Sequence, residues 1–267
     1  MSLATEKRLT FFPMGGPSQS AERAGYRFGE RGTHSSRTVM LAELEALLAA
    51  VPGQADRADY AAAIIDRNCL GKPTKSTRRH TNQRLGELYS LDRRYAVFRV
   101  MRGLWGHASA RPQLALLTAL ARDPLLLASA PPILALPIGG ELQRTAVRDA
   151  LAKVVGERMS ADTLDKVVRN VSSSWAQTGH LQGRTFKFRQ HVQAQPAALA
   201  FALWLGEAAG FRGADLLSSG WIAVLDCTPS LARGLALEAK RAGLIDLRAA
   251  GDVFEVGLER LDPGRGR

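Results

Sequence analysis

The sequence has only two cysteines, Cys69 and Cys227, and neither stands in a Cys-x-x-Cys pair or close to two histidines. We therefore expect no disulfide framework and no zinc site, and a reducing compartment is favoured. The N-terminus lacks the apolar core of a signal peptide. The most apolar region, residues 114–138, is interrupted at Arg122-Asp123-Pro124, so no apolar run reaches the roughly 20 residues that a membrane span needs. The sequence predicts a soluble, cytoplasmic protein without membrane contact.

Motifs that usually carry catalysis are also missing. The five histidines show no His-x-x-x-His or His-Glu-x-x-His spacing, and no glycine-rich loop is followed by the Lys-Ser/Thr pair of a phosphate-binding loop. Asp252 and Glu255 faintly suggest a nuclease carboxylate pair, but no lysine follows Glu255 at the spacing that such sites use. A turn aspartate and an exposed strand glutamate are the ordinary explanation. We expect no catalytic residues, no metal and no cofactor, with a metal-dependent nuclease as a minor alternative.

Positive charge, in contrast, is abundant. The 267 residues contain 36 Lys and Arg against 25 Asp and Glu, which gives a formal net charge of +11. Such an excess favours anionic partners, although net charge does not determine the fold. With 46% apolar residues, the chain is typical of a globular protein and is long enough for one large domain or two smaller ones.

The first basic tract, residues 67–84, contains six Lys or Arg and no acidic residue. Gly71 and Pro73 break the chain before a helix start at Thr74 or Ser76, whose hydroxyls can cap the first turn. On this helix one face is shared by Lys75, Arg78, Arg79 and Asn82, at i, i+3, i+4 and i+7. Thr and Leu residues form the neighbouring face that would pack on a core. A solvated charged helix is the alternative, but such faces usually mix both signs of charge. The candidate nucleic-acid-binding residues here are Lys72, Lys75, Ser76, Thr77, Arg78, Arg79 and Arg84.

The second basic unit covers residues 141–193. Its pattern predicts a helix over about 142–155, a second helix from Ser160 to Thr178, and a hairpin in which Phe186 and Phe188 alternate with cations. A helix pair followed by a basic hairpin is typical of a winged helix-turn-helix, with the second helix in a groove and the wing on phosphate. A packed helix with a cationic hairpin edge is the alternative, and His180 is either a phosphate contact or a satisfied polar residue at the base of the wing. The candidate nucleic-acid-binding residues are Arg169, Asn170, Ser173, Gln177, His180, Arg184, Lys187 and Arg189.

The rest of the chain is predicted to be helical, apart from a second hairpin near the C-terminus. Helices are expected over about 38–52, 55–66, 91–104 and 197–209, and another begins at Thr228, while Trp221 is expected in the core. We predict a mainly α fold, a helical bundle with winged helix-turn-helix units that carry short β-hairpins. The predicted segments are a loosely structured basic N-terminal arm (1–37), a helical bundle (38–140), a winged-helix-like unit (141–193), C-terminal helices with a hairpin around 249–252 (194–262) and a frayed tail (263–267).

Three stretches resemble a known family: Asn68-Cys-Leu-Gly-Lys-Pro-Thr-Lys-Ser-Thr-Arg-Arg79, then residues 169–184, and residues 239–256. They look like the BrxA-type proteins encoded in BREX bacteriophage-defence loci of bacteria, with a similarity spanning roughly residues 55–258. The resemblance implies a small helical protein, part of it similar to the antitermination factor NusB, with winged-helix features and nucleic-acid binding. It also implies partners encoded in the same locus: a methyltransferase, an ATPase and a phosphatase-like protein. The positions matching the family motifs are Lys72, Thr74, Ser76, Thr77, Arg78, Arg79, Asn170, Ser173, Ser174, Trp175, Gly179, His180 and Gly183.

From these observations we expect a non-enzymatic, DNA-binding component of a bacterial phage-defence system. It would contact the phosphate backbone of double-stranded DNA through two basic surfaces and work with other subunits of a defence complex. Two alternatives remain open: a protein adaptor whose basic faces dock acidic partner subunits, and an RNA-binding factor similar to NusB.

Overall fold

The computed structural model describes residues 9–250 and 253–263, without the side chains of residues 249, 250 and 253. The expected mainly α fold with short β-hairpins is confirmed. The helices are α1 (Gln19–Ala24), α2 (Leu41–Ala50), α3 (Arg57–Ile65), α4 (Lys75–Tyr89), α5 (Ala96–Leu104), α6 (Arg111–Arg122), α7 (Pro124–Ala128), α8 (Ala130–Leu134), α9 (Arg144–Val155), α10 (Ala161–Gln177), α11 (Pro196–Ala209), α12 (Gly220–Ala223) and α13 (Pro229–Arg241). The strands form two antiparallel pairs, β1 (Leu181–Gln182) with β2 (Phe188–Arg189), and β3 (Asp246–Ala250) with β4 (Val253–Gly257).

The predicted helix starts coincide with the observed capping residues. The Thr74 hydroxyl accepts a hydrogen bond from the backbone N–H of Thr77 and begins α4, and Ser160 and Thr228 begin α10 and α13 in the same way. Pro196 stands at the first position of α11, where its missing N–H removes no helical hydrogen bond. These boundaries follow from interactions that span only three or four residues.

One hydrophobic core joins all of these segments. Almost the whole of α6 and α11 is buried, and residues from the predicted bundle, the winged unit and the C-terminal helices belong to the same core cluster. Trp221 is fully buried, as predicted, and its ring meets that of Phe11 edge-on at 5.1 Å between centroids. The segments predicted to end at residues 140 and 193 therefore share one hydrophobic core.

The segment before α2 differs from its prediction. Residues 9–37 are not a loose arm: the Tyr26 hydroxyl donates to the carbonyl of Leu205 at 2.7 Å, and the Trp221 indole N–H donates to the carbonyl of Phe11. Phe11, Tyr26 and His34 are all buried. The few aromatic residues of this Gly-, Ser- and Arg-rich segment anchor it to the core, whereas residues 1–8 lie outside the described part of the chain.

The predicted break in the apolar region is also observed. Helix α6 ends at Arg122, and the Asp123 carboxylate caps α7 by accepting from the N–H groups of Leu125 and Leu126. Among the described residues no single helix is long and apolar enough to cross a membrane; residues 108–122 and 124–134 reach that length and composition only as a pair, bent by 102°.

Candidate nucleic-acid interface

The second basic unit folds as a helix pair followed by a hairpin, in the order that the sequence predicted. The chain enters it through an extended segment that pairs with β2, where Gly139 N–H donates to the carbonyl of Arg189 at 2.8 Å and Leu142 N–H donates to the carbonyl of Lys187 at 2.8 Å. Helices α9 and α10 follow, and then the β1–β2 hairpin, which we call the wing. This order places the second helix of the pair beside the wing.

A cleft of about 530 Å³ lies between the start of α9, the middle of α10 and the wing. We call it the wing cleft. Four cationic side chains line it, together with the hydroxyls of serine and threonine residues and an apolar floor that includes Val168. No acidic side chain is among the described residues that line it. The four cations are Arg144, Arg169, Arg184 and Lys187.

The turn at the tip of the wing holds one of these cations, Lys187. Gly183 has φ +114°, and a Cβ atom there would lie 2.0 Å from the carbonyl oxygen of Phe186, so only glycine fits. The Lys187 ammonium donates to the Gly183 carbonyl at 2.9 Å. Its burial, and then the nearby charge of Arg144, lower the pKa of Lys187. Like charges held together without a carboxylate create a positive potential that favours a bound anion.

The two sides of α10 have different roles. Arg169 is exposed and Ser173 half-buried, and both line the wing cleft. Asn170 is half-buried and its side-chain amide donates to the carbonyl of His34 at 2.8 Å, while Gln177 accepts a hydrogen bond from the N–H of Leu41 at 3.4 Å. Asn170 and Gln177 therefore hold the segment before α2 against α10.

A buried Asp–His–Ser chain continues this contact. His34 Nδ1 lies 2.9 Å from Asp123 Oδ2, and His34 Nε2 lies 2.8 Å from Ser174 Oγ. The spacing resembles a hydrolase triad, but all three side chains are at most 1% exposed, and Ser174 Oγ also accepts from the N–H of Val39. Burial alone would raise the pKa of Asp123, but the charge of His34 and hydrogen bonds from it hold that pKa below its usual value. A buried hydroxyl with these partners is not placed to attack a substrate. The three hydrogen-bonded side chains instead hold α10 against the segment before α2 and the start of α7.

Two predicted nucleic-acid contacts are wrong, because His180 and Arg189 are buried at 0% and 1% exposure. The His180 ring donates from Nε2 to the carbonyl of Val224 at 2.7 Å, and burial lowers its pKa to about 4, so the ring is neutral near pH 7. The Arg189 guanidinium forms an ion pair with Asp226 and donates to nearby carbonyls. Both residues are buried polar groups at the base of the wing, although Nε of Arg189 has no hydrogen-bond partner among the described residues.

In the folded chain, several cations of the first basic tract are paired with carboxylates or with backbone carbonyls. The Lys72 ammonium lies 3.0 Å from a carboxylate oxygen of Glu43, and Arg84 lies 2.8 Å from Glu87. Arg78 is half-buried and donates to the backbone carbonyls of Lys72 and Ile65. The expectation of a surface without anions is therefore wrong for Lys72 and Arg84.

The exposed positions of this tract lie near the start of α4. Lys75, Ser76 and Arg79 are exposed, so their side chains are accessible to a ligand, whereas Thr77 is half-buried and its hydroxyl pairs with that of Thr74 at 2.8 Å. Lys75 and Arg79 stand four residues apart and therefore share one face of the helix.

A smaller cleft is lined by residues from three parts of the chain. Its volume is about 260 Å³, and Arg27, Arg31 and Arg84 line it together with Glu87 and Met159. Met159 immediately precedes the cap of α10, and Arg84 belongs to α4. The segment that was predicted to be an arm thus supplies two cations beside α4, which sequence spacing alone did not reveal.

The described residues contain no group of three or more His, Cys, Asp or Glu side chains that could hold a metal ion. Glu255 is exposed and lies 3.8 Å from Arg248, whereas Asp252, the other member of the candidate nuclease pair, lies outside the described residues. No protein-family model matches the sequence, and no curated protein matches it.

Proposed function

We propose that this protein is a non-enzymatic, DNA-binding component of a bacterial phage-defence system. The observation that carries the proposal is the wing cleft, where four cations converge beside a winged helix without a carboxylate among the described lining residues. Duplex DNA presents a dense row of phosphates, and cations that neutralise them release condensed counterions, which provides most of the affinity.

The arrangement supports a two-part contact. Lys166, Arg169 and Ser173 follow one another at three- and four-residue spacing on α10, so this face can enter the major groove. Arg184 and Lys187 on the wing then contact the adjacent phosphates. Lys75 and Arg79 on α4 are exposed cations suited to a flanking stretch of backbone.

The resemblance to BrxA-type proteins suggests the biological setting. It supports a role in a cytoplasmic BREX-type complex, beside the methyltransferase, ATPase and phosphatase-like partners of such loci. Binding of duplex DNA by this subunit would bring those partners to the DNA that they modify or inspect.

The test is a salt series with a fluorescent duplex, comparing the wild type with the double variant Arg169→Ala/Arg184→Ala. Both side chains are exposed, so their loss should not disturb folding. Each phosphate contact steepens the log–log dependence of affinity on salt by about 0.9, so the slope of the double variant should be shallower by about 1.8. The matched control is Arg241→Ala/Arg248→Ala, which removes the same charge from α13 and β3, outside the wing cleft.

Equal slopes for the two double variants would contradict the assignment of the wing cleft as the DNA site. Tighter binding of an RNA duplex than of DNA, in the same buffer, would favour the RNA-binding alternative. No DNA retention at physiological salt, together with tight binding of an acidic partner subunit, would favour the adaptor.

A further inference from the structure

The wing carries two exposed aromatic rings. Along β2 the side chains alternate, so Arg189 is buried, whereas Phe188 is 41% exposed. Lys187 is half-buried and lines the wing cleft, and Phe186, next to it at the turn, is 63% exposed. Arg184, on the other side of Phe186 in the chain, also lines the cleft. Phe186 therefore places an exposed ring at the turn of the wing, between two cations of the wing cleft.

These rings are placed where a nucleic acid would meet them. Phe186 stands between Arg184 and Lys187 in the chain, two residues from the first and next to the second, so one turn carries the ring and both cations. Successive nucleotides of one strand rise by about 3.4 Å, so a ring on that turn can reach a base whose phosphate the cations hold. Aromatic rings stack on any base, and apolar side chains wedge between base pairs whose stacking is weak.

We propose that Phe186 is a stacking wedge that makes this protein prefer duplex DNA containing an unstacked position, such as a one-nucleotide gap, over a perfect duplex. The inference rests on the proposed function, because the wing cleft supplies the phosphate contacts that bring the ring to the DNA. The flanking cations favour a nucleic acid as the occupant of this face over an apolar protein surface. Phe188, which is also exposed but farther from the turn, extends the aromatic surface toward the base of the wing.

The experiment compares two labelled duplexes of identical sequence, one intact and one with a single-nucleotide gap flanked by 2-aminopurine. The wild type should bind the gapped duplex at least about five-fold more tightly and change the 2-aminopurine fluorescence, since one aromatic–base stack is worth roughly a five-fold or larger gain in affinity. Phe186→Ala should lose this preference and the fluorescence change, whereas Phe186→Trp should retain both. Ile138→Ala removes another exposed apolar side chain, 57% exposed, and serves as the matched control that leaves the ratio unchanged.

A wild type that binds intact and gapped duplexes equally, or a Phe186→Ala variant that keeps the wild-type ratio, would overturn the inference. The salt dependence separates this failure from that of the proposed function. A salt slope that depends on Arg169 and Arg184, without any gap preference, refutes the wedge alone, whereas the absence of DNA binding refutes both. If Phe186→Ala instead reduces self-association in sedimentation, with equal affinity for both duplexes, this face is a contact between copies of the chain and the wedge is wrong.

Discussion

The ion pair at the base of the wing gives a stability prediction with a functional consequence. The guanidinium of Arg189 is 2% exposed and the carboxylate of Asp226 is 12% exposed, so each group depends on the other for its counter-charge. Asp226 also accepts from the N–H of Val192 at 2.9 Å and has φ +53°, a backbone conformation that Asn adopts as readily as Asp. Asp226→Asn therefore removes the charge with little change in shape or backbone strain.

We expect Asp226→Asn to lower the free energy of unfolding by about 3 kcal/mol. Removing one partner of a buried ion pair costs about 3–5 kcal/mol, and the lower end applies because the amide oxygen still accepts a hydrogen bond. Urea denaturation followed by circular dichroism measures the change. Glu30→Gln is the matched control: it breaks an ion pair with Arg158 whose side chains are 58% and 43% exposed, and it should cost less than about 1 kcal/mol.

The double variant Arg189→Met/Asp226→Asn extends the test to function. It removes both charges, so no unpaired guanidinium stays buried, and part of the lost stability should return. Because Arg189 does not reach the surface, this variant should also keep the wild-type salt dependence of DNA binding. A cost of Asp226→Asn no larger than that of Glu30→Gln, or a salt slope shallower by about 0.9 in the double variant, would refute the burial of Arg189.

Two further predictions concern the same region. The folded-state pKa of His180 is lowered to about 4 by burial, below the unfolded value of about 6.5, so the unfolded chain binds the extra proton between these values. The free energy of unfolding should therefore fall by up to about 3 kcal/mol as the pH decreases from about 6.5 to 4, and His180→Gln should flatten the urea midpoint across that window. Gly183→Ala should weaken DNA binding, since its Cβ would press on Phe186, whereas Gly156→Ala, also at positive φ but facing open space outside the wing cleft, should bind duplex DNA like the wild type.

Local signals in the sequence predicted most of the secondary structure. Thr74 and Ser160 cap helices through hydrogen bonds to residues three positions later, and Pro196 begins a helix through its own fixed φ. These effects are complete within one helical turn, so they do not depend on the tertiary fold. The two hairpins were also predicted from local sequence patterns, and both are observed. Residues 251–252 of the second turn lie outside the described part of the chain.

Counter-ions supplied from elsewhere in the chain could not be predicted in this way. Glu43 precedes Lys72 by 29 residues and Asp226 follows Arg189 by 37, so a tract without acids in the sequence acquires carboxylates when the chain folds. Alternation of Phe and cations along the hairpin indicated its two faces, but did not show which face turns inward at Arg189. The burial of that face depends on tertiary contacts that leave no short-range pattern.

The unit formed by α9, α10 and the wing is part of the single core and not an independent module. Its helix α10 is held on one side by His34 and on another by the Trp175 indole, which donates to Ser129 at 2.8 Å, and Asp226 closes the base of the wing. Buried polar groups that are fully hydrogen-bonded specify one arrangement, because each lost partner leaves a costly unsatisfied group. These distant contacts therefore fix the angle between α10 and the wing. The arrangement of the four cations in the wing cleft is therefore a property of the whole fold.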